Sequence, residues 1–441
     1  MNYLSHYKAT IKLGLPIVVG QIGVIVVGFA DTLMVGQYNT ASLASASFVN
    51  SVFNLIIISL LGFSYGITPL VGALFARKDY RGAGSTFKQA FVANLAFGLL
   101  LTALMAAVFP FLDYFGQPEE LLPLIRPYYL TVLCSIVFVA LFNAMRQFAD
   151  SLMQTSIAMW ILLGGNAFNI IFNYLLIYGK FGFPELGLTG AGLSTMASRI
   201  LMALVFAYIL LRQARYEPFR KGFFGVRTTM RGVLRNAKVS LPVALQMAME
   251  TGTFTFSAVM VGWIGAAELA SFQVMVTIGT LGFMFYYSVG AAIAIRVASY
   301  AGKEDIVGLR RSAWAGYHIL LLFATAASTI FFVFSDALIR VFTDDPAVSV
   351  IAVTLIVPLV LYQYGDATQI CFANVLRGTA RVMPIMWIAF FSFVVVGIPA
   401  AYLLGFPAGL GVQGVFLSFS VSLFVAAVLF FWDFQRATRR R

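Results

Sequence analysis

The chain has 441 residues, of which 61% are apolar, 15% aromatic and only 10% charged, with a formal net charge of +12. A soluble fold keeps its surface hydrated with about 25% charged residues, so this composition excludes a water-soluble enzyme or binding domain and leaves a polytopic membrane protein. At about 20 to 25 residues per crossing, the length admits roughly a dozen helices and no large extramembrane domain. Apolar runs punctuated by charge, Gly and Pro predict twelve spans, near 12–37, 46–75, 85–110, 124–145, 155–178, 188–211, 239–265, 270–299, 312–335, 347–376, 383–405 and 413–434. The runs are continuous, whereas barrel strands would alternate in polarity, so an outer-membrane barrel is excluded.

The opening residues MNYLSHYKAT lack the basic, apolar and small-residue parts of a signal peptide, so the N-terminus is expected to be retained. Cys134 and Cys371 both lie in apolar runs and form no disulfide framework or metal cluster. With both termini cytoplasmic, 25 of the 29 basic residues fall on the inside, Arg126, Lys180 and Arg340 fall outside, and Arg199 sits within a span. That asymmetry obeys the positive-inside rule. The excess charge then reflects topology and anionic inner-leaflet lipid, not nucleic acid, and the expected location is an inner (plasma) membrane.

The chain repeats itself. Leu15-Pro16, Val35-Gly36 and Leu43-Ala44 recur 226 residues later as Leu241-Pro242, Val261-Gly262 and Leu269-Ala270. Pro127, Asn143 and Arg146 match Pro358, Asn374 and Arg377 at an offset of 231, and Gly187, Gly190, Leu193 and Ser194 match Gly411, Gly414, Leu417 and Ser418 at 224. A local loop repeat sets Ala76-Arg77-Lys78-Asp79 beside Ala301-Gly302-Lys303-Glu304. Six spans per half make both halves enter the bilayer in the same sense. The expected fold is an all-α polytopic membrane protein whose 12 transmembrane helices form two pseudo-symmetric six-helix lobes around a central cleft. Residues 1–214 form an N-lobe, 215–238 a basic cytoplasmic linker and 239–441 a C-lobe, in a chain expected to act as a monomer.

Charge deep in hydrocarbon is costly and faces a cavity or a partner. Asp31, Arg199, Glu250 and Asp366 qualify. Glu250 lies 12 residues beyond Lys238 and Asp366 lies 11 before Arg377, which puts both roughly 16 to 18 Å deep at the helical rise. Asp31, 19 residues beyond Lys12, belongs to the outward half of its helix. Two acids at one depth in a low dielectric share a proton or bind a cation. Tyr362, Gln363 and Gln369 flank Asp366, and Pro358, two turns earlier, can free a backbone carbonyl. Glu250 and Asp366 are therefore candidate ligands for Na+, a hard ion suited to oxygen donors, or for H+; the alternative is a buried hydrogen-bond network of structural use. The repeat offsets pair Glu250 with Val24, Asp366 with Ser135 and Asp31 with Ser257, so the scaffold is duplicated and the charge is not.

For Asp31 the alternative is a buried ion pair with Arg199 that fixes helix packing. Asn166, Asn169 and Asn173 follow on the fifth span; Asn169 and Asn173 share a face and either line a polar pocket with Asp31 or bond between helices. Met247, Met249, Met260, Met275 and Met284 suit an adaptable apolar pocket or ordinary packing. His6 and His318 carry no partner signature. Gly302-Lys303 is followed by Glu304, not Ser or Thr, so there is no phosphate-binding loop for ATP, and neither H-E-x-x-H nor G-x-S-x-G occurs. The chain is not expected to be an enzyme, and solute movement must draw on an ion gradient.

The segments LPIVVGQIGVIVVGFADTLMVG, QMAMETGTF, YQYGDATQICFANVLRG and RQFADSLMQTS resemble the multidrug and toxic compound extrusion (MATE) transporters, over essentially the whole chain. The resemblance to the NorM-type branch implies a C-lobe cation site formed by Glu250, Asp366 and Tyr362, with Asp31 as the N-lobe acid. In the DinF-type branch that acid works with an Asn-x-x-x-Asp pair, which stands here as Asn169 and Asn173; the lost carboxylate favours the NorM type. The resemblance further implies an antiporter in which inward Na+ or H+ flow drives export of amphipathic, often cationic, drugs and toxic compounds, with no cofactor besides the coupling ion. A flippase for lipid-linked saccharides has a related plan but is expected to display several cations in its cleft, where this chain has only Arg199. A channel lacks a visible selectivity filter.

Overall fold

The computed structural model describes residues 3–439 and is helical throughout, with no strand among them. In chain order the α-helices are α1 (Tyr3–Tyr38), α2 (Thr40–Ser64), α3 (Ile67–Ala76), α4 (Tyr80–Val108), α5 (Leu122–Ser151), α6 (Thr155–Tyr178), α7 (Gly187–Arg212), α8 (Glu217–Gly225), α9 (Met230–Gly262), α10 (Ala266–Gly302), α11 (Ile306–Val333), α12 (Ser335–Phe342), α13 (Pro346–Thr354), α14 (Ile356–Gly378), α15 (Val382–Ala389), α16 (Ile398–Gly405) and α17 (Gly411–Arg439). A π-helical stretch, Phe390–Gly397, joins α15 to α16. Hydrocarbon offers the backbone no hydrogen bonds, so each apolar run closes its own as a helix.

Ten helical spans among the described residues are long and apolar enough to cross a bilayer, and α13 with α14, bent by 48°, makes an eleventh. The remaining predicted span, the seventh in chain order, is α9. Its 33 residues cover about 50 Å at the helical rise, so it has the length, but Lys238, Gln246 and Glu250 dilute its apolar character. The bend before α14 has a cause in the sequence. Pro358 cannot donate to the carbonyl four residues back, that of Thr354, which accepts instead from Gln413 Nε2 at 3.3 Å. The carbonyl expected to be freed is thus taken up by a side chain.

By packing, the chain forms two compact units, one of residues up to Val18 together with those from Leu245 on, the other of Val19–Ala244. These boundaries fall inside α1 and α9, whereas the sequence division falls at 214 and 238; the basic segment 215–238 lies within the second unit. In the first unit the start of α1 is tied to α10 and α11. Arg296 Nη1 donates to His6 O and Thr10 Oγ1, both at 2.6 Å, and Tyr7 Oη lies 2.8 Å from His318 Nδ1. Both histidines, unassigned from sequence, thus have partners. The core of this unit gathers residues such as Phe272, Phe416 and Phe419; that of the second gathers Phe53, Tyr129 and Ile136 in one cluster and Phe87, Phe148 and Phe206 in another.

Each unit shows why the repeated residues repeat. A Cβ on Gly190 would lie 2.5 Å from the Leu176 carbonyl oxygen, and one on Gly414 would lie 2.3 Å from that of Leu404. Gly187 and Gly411 both take a left-handed backbone, with φ of 54° and 57°, which side chains disfavour. Lys78 and Glu304 share a φ near 60°, at 62° and 59°, and each precedes an aspartate, Asp79 or Asp305, that caps the next helix on a glycine N–H at 2.8 Å. Lys78 therefore corresponds to Glu304, one residue away from the loop pairing expected from sequence, because the cap and turn, not residue identity, fix the register.

Gly190→Ala and Gly414→Ala should each cost about 1–3 kcal/mol, the usual penalty for an overpacked interior. Thermal unfolding in detergent checks this, and melting at the wild-type temperature would show that the helices do not approach so closely.

Candidate functional site

α9 presents Gln246, Glu250 and Thr253 along one face, at spacings of four and three residues. Glu250 Oε2 accepts from Gln246 Nε2 at 3.0 Å and from Gln369 Nε2 of α14 at 3.3 Å. Gln246 in turn accepts from Arg377 Nη2 at 3.4 Å, and Arg377 Nη1 donates to Asn374 Oδ1 at 3.1 Å. An amide thus stands between the guanidinium and the carboxylate and gives each a partner without letting the two charges meet. Thr253 also donates to Met249 O, and at 3.4 Å to Phe393 O within the π-helical stretch.

Asp366, one turn from Tyr362 on α14, is 1% exposed, and its Oδ2 has no hydrogen-bond partner among the described residues. It senses the charge of Glu250, and the hydroxyls of Tyr362 and Tyr286 lie within electrostatic reach of it. Tyr286 donates to Gln363 Oε1 at 2.8 Å, which leaves Gln363 Nε2 buried and unpartnered among the described residues. Phe254 stands edge-on to Tyr362 at 6.1 Å and Phe416 lies at 6.5 Å, so the wall around the tyrosine is aromatic. The acids, Tyr362 and both glutamines expected from sequence are therefore brought together. Tyr286, Gln246 and the reach of Arg377 were not foreseen: a tyrosine among apolar neighbours carries little signal, whereas Gln246 and Glu250 at i, i+4 could have been paired.

No group of three or more His, Cys, Asp or Glu side chains converges on a possible metal position among the described residues. Two carboxylates with amide and phenol neighbours form a hard, oxygen-rich donor set. It suits Na+ or a shared proton rather than a transition metal.

In the second unit Asp31 of α1 accepts a hydrogen bond from Asn173 Nδ2. In the amide orientation that satisfies both its ends, Asn169 Nδ2 also donates to Asp31 Oδ1, at 2.9 Å, while its oxygen accepts from Thr195 N and Oγ1, both at 3.3 Å. Two neutral amides thus hold this acid where the DinF pattern has one amide and a second acid. Asn166 stays apart, its Nδ2 near Gly23 and unpartnered among the described residues. Arg199 forms no direct ion pair with Asp31 among the described residues; it donates to Ser135 Oγ at 2.6 Å. The expected alternative of a neutralising Asp31–Arg199 pair is thereby corrected to longer-range attraction.

Ser135 is the counterpart of Asp366 by the repeat, and Leu423, the counterpart of Arg199, packs beside Gly365, next to Asp366. One half thus places a cation and a hydroxyl where the other places an acid and a leucine.

Apolar helices that enclose partly unsatisfied carboxylates suit a membrane transporter. The sequence model of the MatE family matches residues 16–175 and 242–403, once in each half. The chain belongs to the MatE family of membrane transporters. It is 29% identical over 439 residues to the probable multidrug resistance protein NorM of Xanthomonas campestris pv. campestris, covering 100% of this chain and 96% of that one. It is 28% identical over 434 residues to multidrug resistance protein NorM of Photobacterium profundum, covering 97% and 95%. Among solved structures, the eukaryotic MATE transporter AtDTX14 superposes with a TM-score of 0.89 at 18% identity, over 99% of this chain and 98% of that one. An outward-facing multidrug resistance MATE family transporter of the MOP superfamily gives 0.87 at 19% identity, over 99% and 97%.

Replacing Gln246 with Leu keeps its bulk but leaves Glu250 and Arg377 each one partner short. The expected loss is about 1–3 kcal/mol of stability, as for other buried polar groups left unsatisfied, read as a lower melting temperature in detergent. If Gln246→Leu melts with the wild type, the amide does not bridge the two charges.

Proposed function

We propose that the chain is a cation-coupled antiporter that exports amphipathic, often cationic, drugs and toxic compounds by alternating access between two six-helix lobes. The relatives named multidrug resistance protein NorM support the substrate class. The Oδ2 of Asp366, buried and unpartnered among the described residues and held within electrostatic reach of Glu250, carries the coupling. Leaving a charged oxygen unsatisfied in an apolar interior is costly, so the cluster persists because Na+ or H+ visits it.

In the outward-facing state the cation takes Asp366 Oδ2 with Glu250, assisted by Tyr362. Neutralising the acids removes the attraction for a cationic drug, which leaves, and the lightened site permits reversal to the inward-facing state. Asp31, with Asn169 and Asn173, forms a second polar site in the N-lobe, where Arg199 sets the local potential. Both termini face the cytoplasm of a bacterial inner membrane, and the monomer is the working unit. The flippase alternative loses support from the bond between Arg199 and Ser135, which ties down the cation expected from sequence to meet a pyrophosphate.

In proteoliposomes, Glu250→Gln combined with Asp366→Asn should reduce gradient-driven dye efflux to the protein-free background, and normal efflux would sink the proposal. Asp31→Asn should impair efflux; wild-type rates would make that acid structural. Efflux measured under a Na+ gradient at uniform pH, and under a pH gradient without Na+, identifies the ion. Dye movement that needs neither would point to uncoupled flux and refute the antiport mechanism.

A further inference from the structure

An internal space lined by none of these carboxylates lies within the unit of residues 19–244. It is a cavity of about 230 Å³, below the roughly 300–1,000 Å³ of pockets that take drug-sized molecules. Its walls are aromatic: Phe87 and Phe91 from α4, Phe148 from α5, and Phe219 and Phe223 from α8, with Ala207 of α7 the smallest lining side chain. These walls are firmly set. Phe87 stacks on Phe148 at 4.1 Å. A Cβ on Gly84 of α4 would lie 2.0 Å from the Phe219 carbonyl oxygen, and one on Gly222 of α8 would lie 2.1 Å from that of Arg81. The backbones of α4 and α8 touch at these two glycines, which fixes the short helix over the space.

Charge gathers around this cavity. Arg220 is the one charged residue of the lining, and its Nη1 donates to Leu210 O at 3.3 Å and Gln213 O at 2.9 Å, at the end of α7. Lys88 Nζ stands 5.9 Å from the centre of the Phe223 ring. From Arg212 to Lys238 the chain carries eight basic residues against one acidic, Glu217; Glu217 pairs with Lys221 at 2.9 Å, and Arg215 Nε donates to Gln213 Oε1 at 2.6 Å, so the stretch keeps a large positive excess with two of its cations already partnered. Leu211 and Phe224 also line the cavity yet are 50% and 64% exposed, so it reaches the surface past apolar side chains, which in a membrane protein meet lipid.

We propose that this cavity holds an acyl chain of one anionic phospholipid, whose phosphate rests against Arg220 and its neighbours Arg215 and Lys221. The charge selects the ligand. A zwitterionic lipid gains little from so basic a rim, and a cationic amphiphile of the kind proposed above as cargo is repelled by it. The site is independent of the coupling acids, so its test is independent of transport.

Native mass spectrometry of the full-length protein in detergent, titrated with phosphatidylglycerol or phosphatidylcholine, reads the binding directly. One phosphatidylglycerol should be retained roughly tenfold more tightly than phosphatidylcholine, the effect of one to two basic contacts. Ala207→Phe fills the cavity without touching charge and should weaken phosphatidylglycerol by a similar factor. Arg215→Gln with Lys221→Gln removes two exposed charges, along with the Lys221–Glu217 ion pair and the Arg215–Gln213 bond, and should bring phosphatidylglycerol down to the level of phosphatidylcholine; it decides the matter if Ala207→Phe does not fold. Equal retention of the two lipids, unchanged binding in a folded Ala207→Phe protein, or a preference that survives the double variant would each overturn the proposal.

Discussion

Holding the carboxylate of Asp366 inside an apolar bundle is the demand that organises the first unit. Gln369 is bonded to Glu250 and Gln363 to Tyr286, yet the Oδ2 of Asp366 on the same helix stays unpartnered among the described residues. The same demand shapes the second shell of bonds. Arg377 could have neutralised Glu250 directly, but Gln246 separates them, which keeps the acid from being locked into a permanent pair. A carboxylate held by neutral amides remains able to exchange a positive partner, whereas one locked to a guanidinium does not.

The two halves share a backbone and differ in charge. Among the positions that match across the repeat are some where geometry admits few residues: glycines pressed against carbonyls, glycines with a left-handed backbone, and aspartates that cap helices after a tight turn. Side chains on the same scaffold were free to diverge. Where one half has Asp366 beside Leu423, the other has Ser135 bonded to Arg199. Duplicated packing with reversed electrostatics lets one architecture present two unlike polar sites.

Much of this was legible in the sequence, for physical reasons that differ from part to part. Hydrophobic length defines spans, so the helices were readable, and an acid in an apolar run is conspicuous, so Asp31, Glu250 and Asp366 were found along with the amide pair on α6. The sequence does not say which way a helix turns its polar residues. Tyr286 was missed because a lone tyrosine in a span is as often packing as function, and the Arg199–Asp31 pairing failed because a nearer hydroxyl competes for the guanidinium. The cavity beneath α8 was invisible for another reason: it depends on Gly84 and Gly222 meeting backbone far away in the chain, which no local pattern encodes.

α9 has a consequence for how the protein is made. The helix that carries Glu250 is not among the described helices apolar enough to cross a membrane by themselves, because its lysine, acid and amides oppose partitioning into lipid as an isolated segment. Its entry during biogenesis must therefore be cooperative, with α9 held beside the insertion channel until α14, made later, brings Gln369 and Arg377 to its polar face. The residues that equip the finished protein for its work are the ones that make its assembly depend on order.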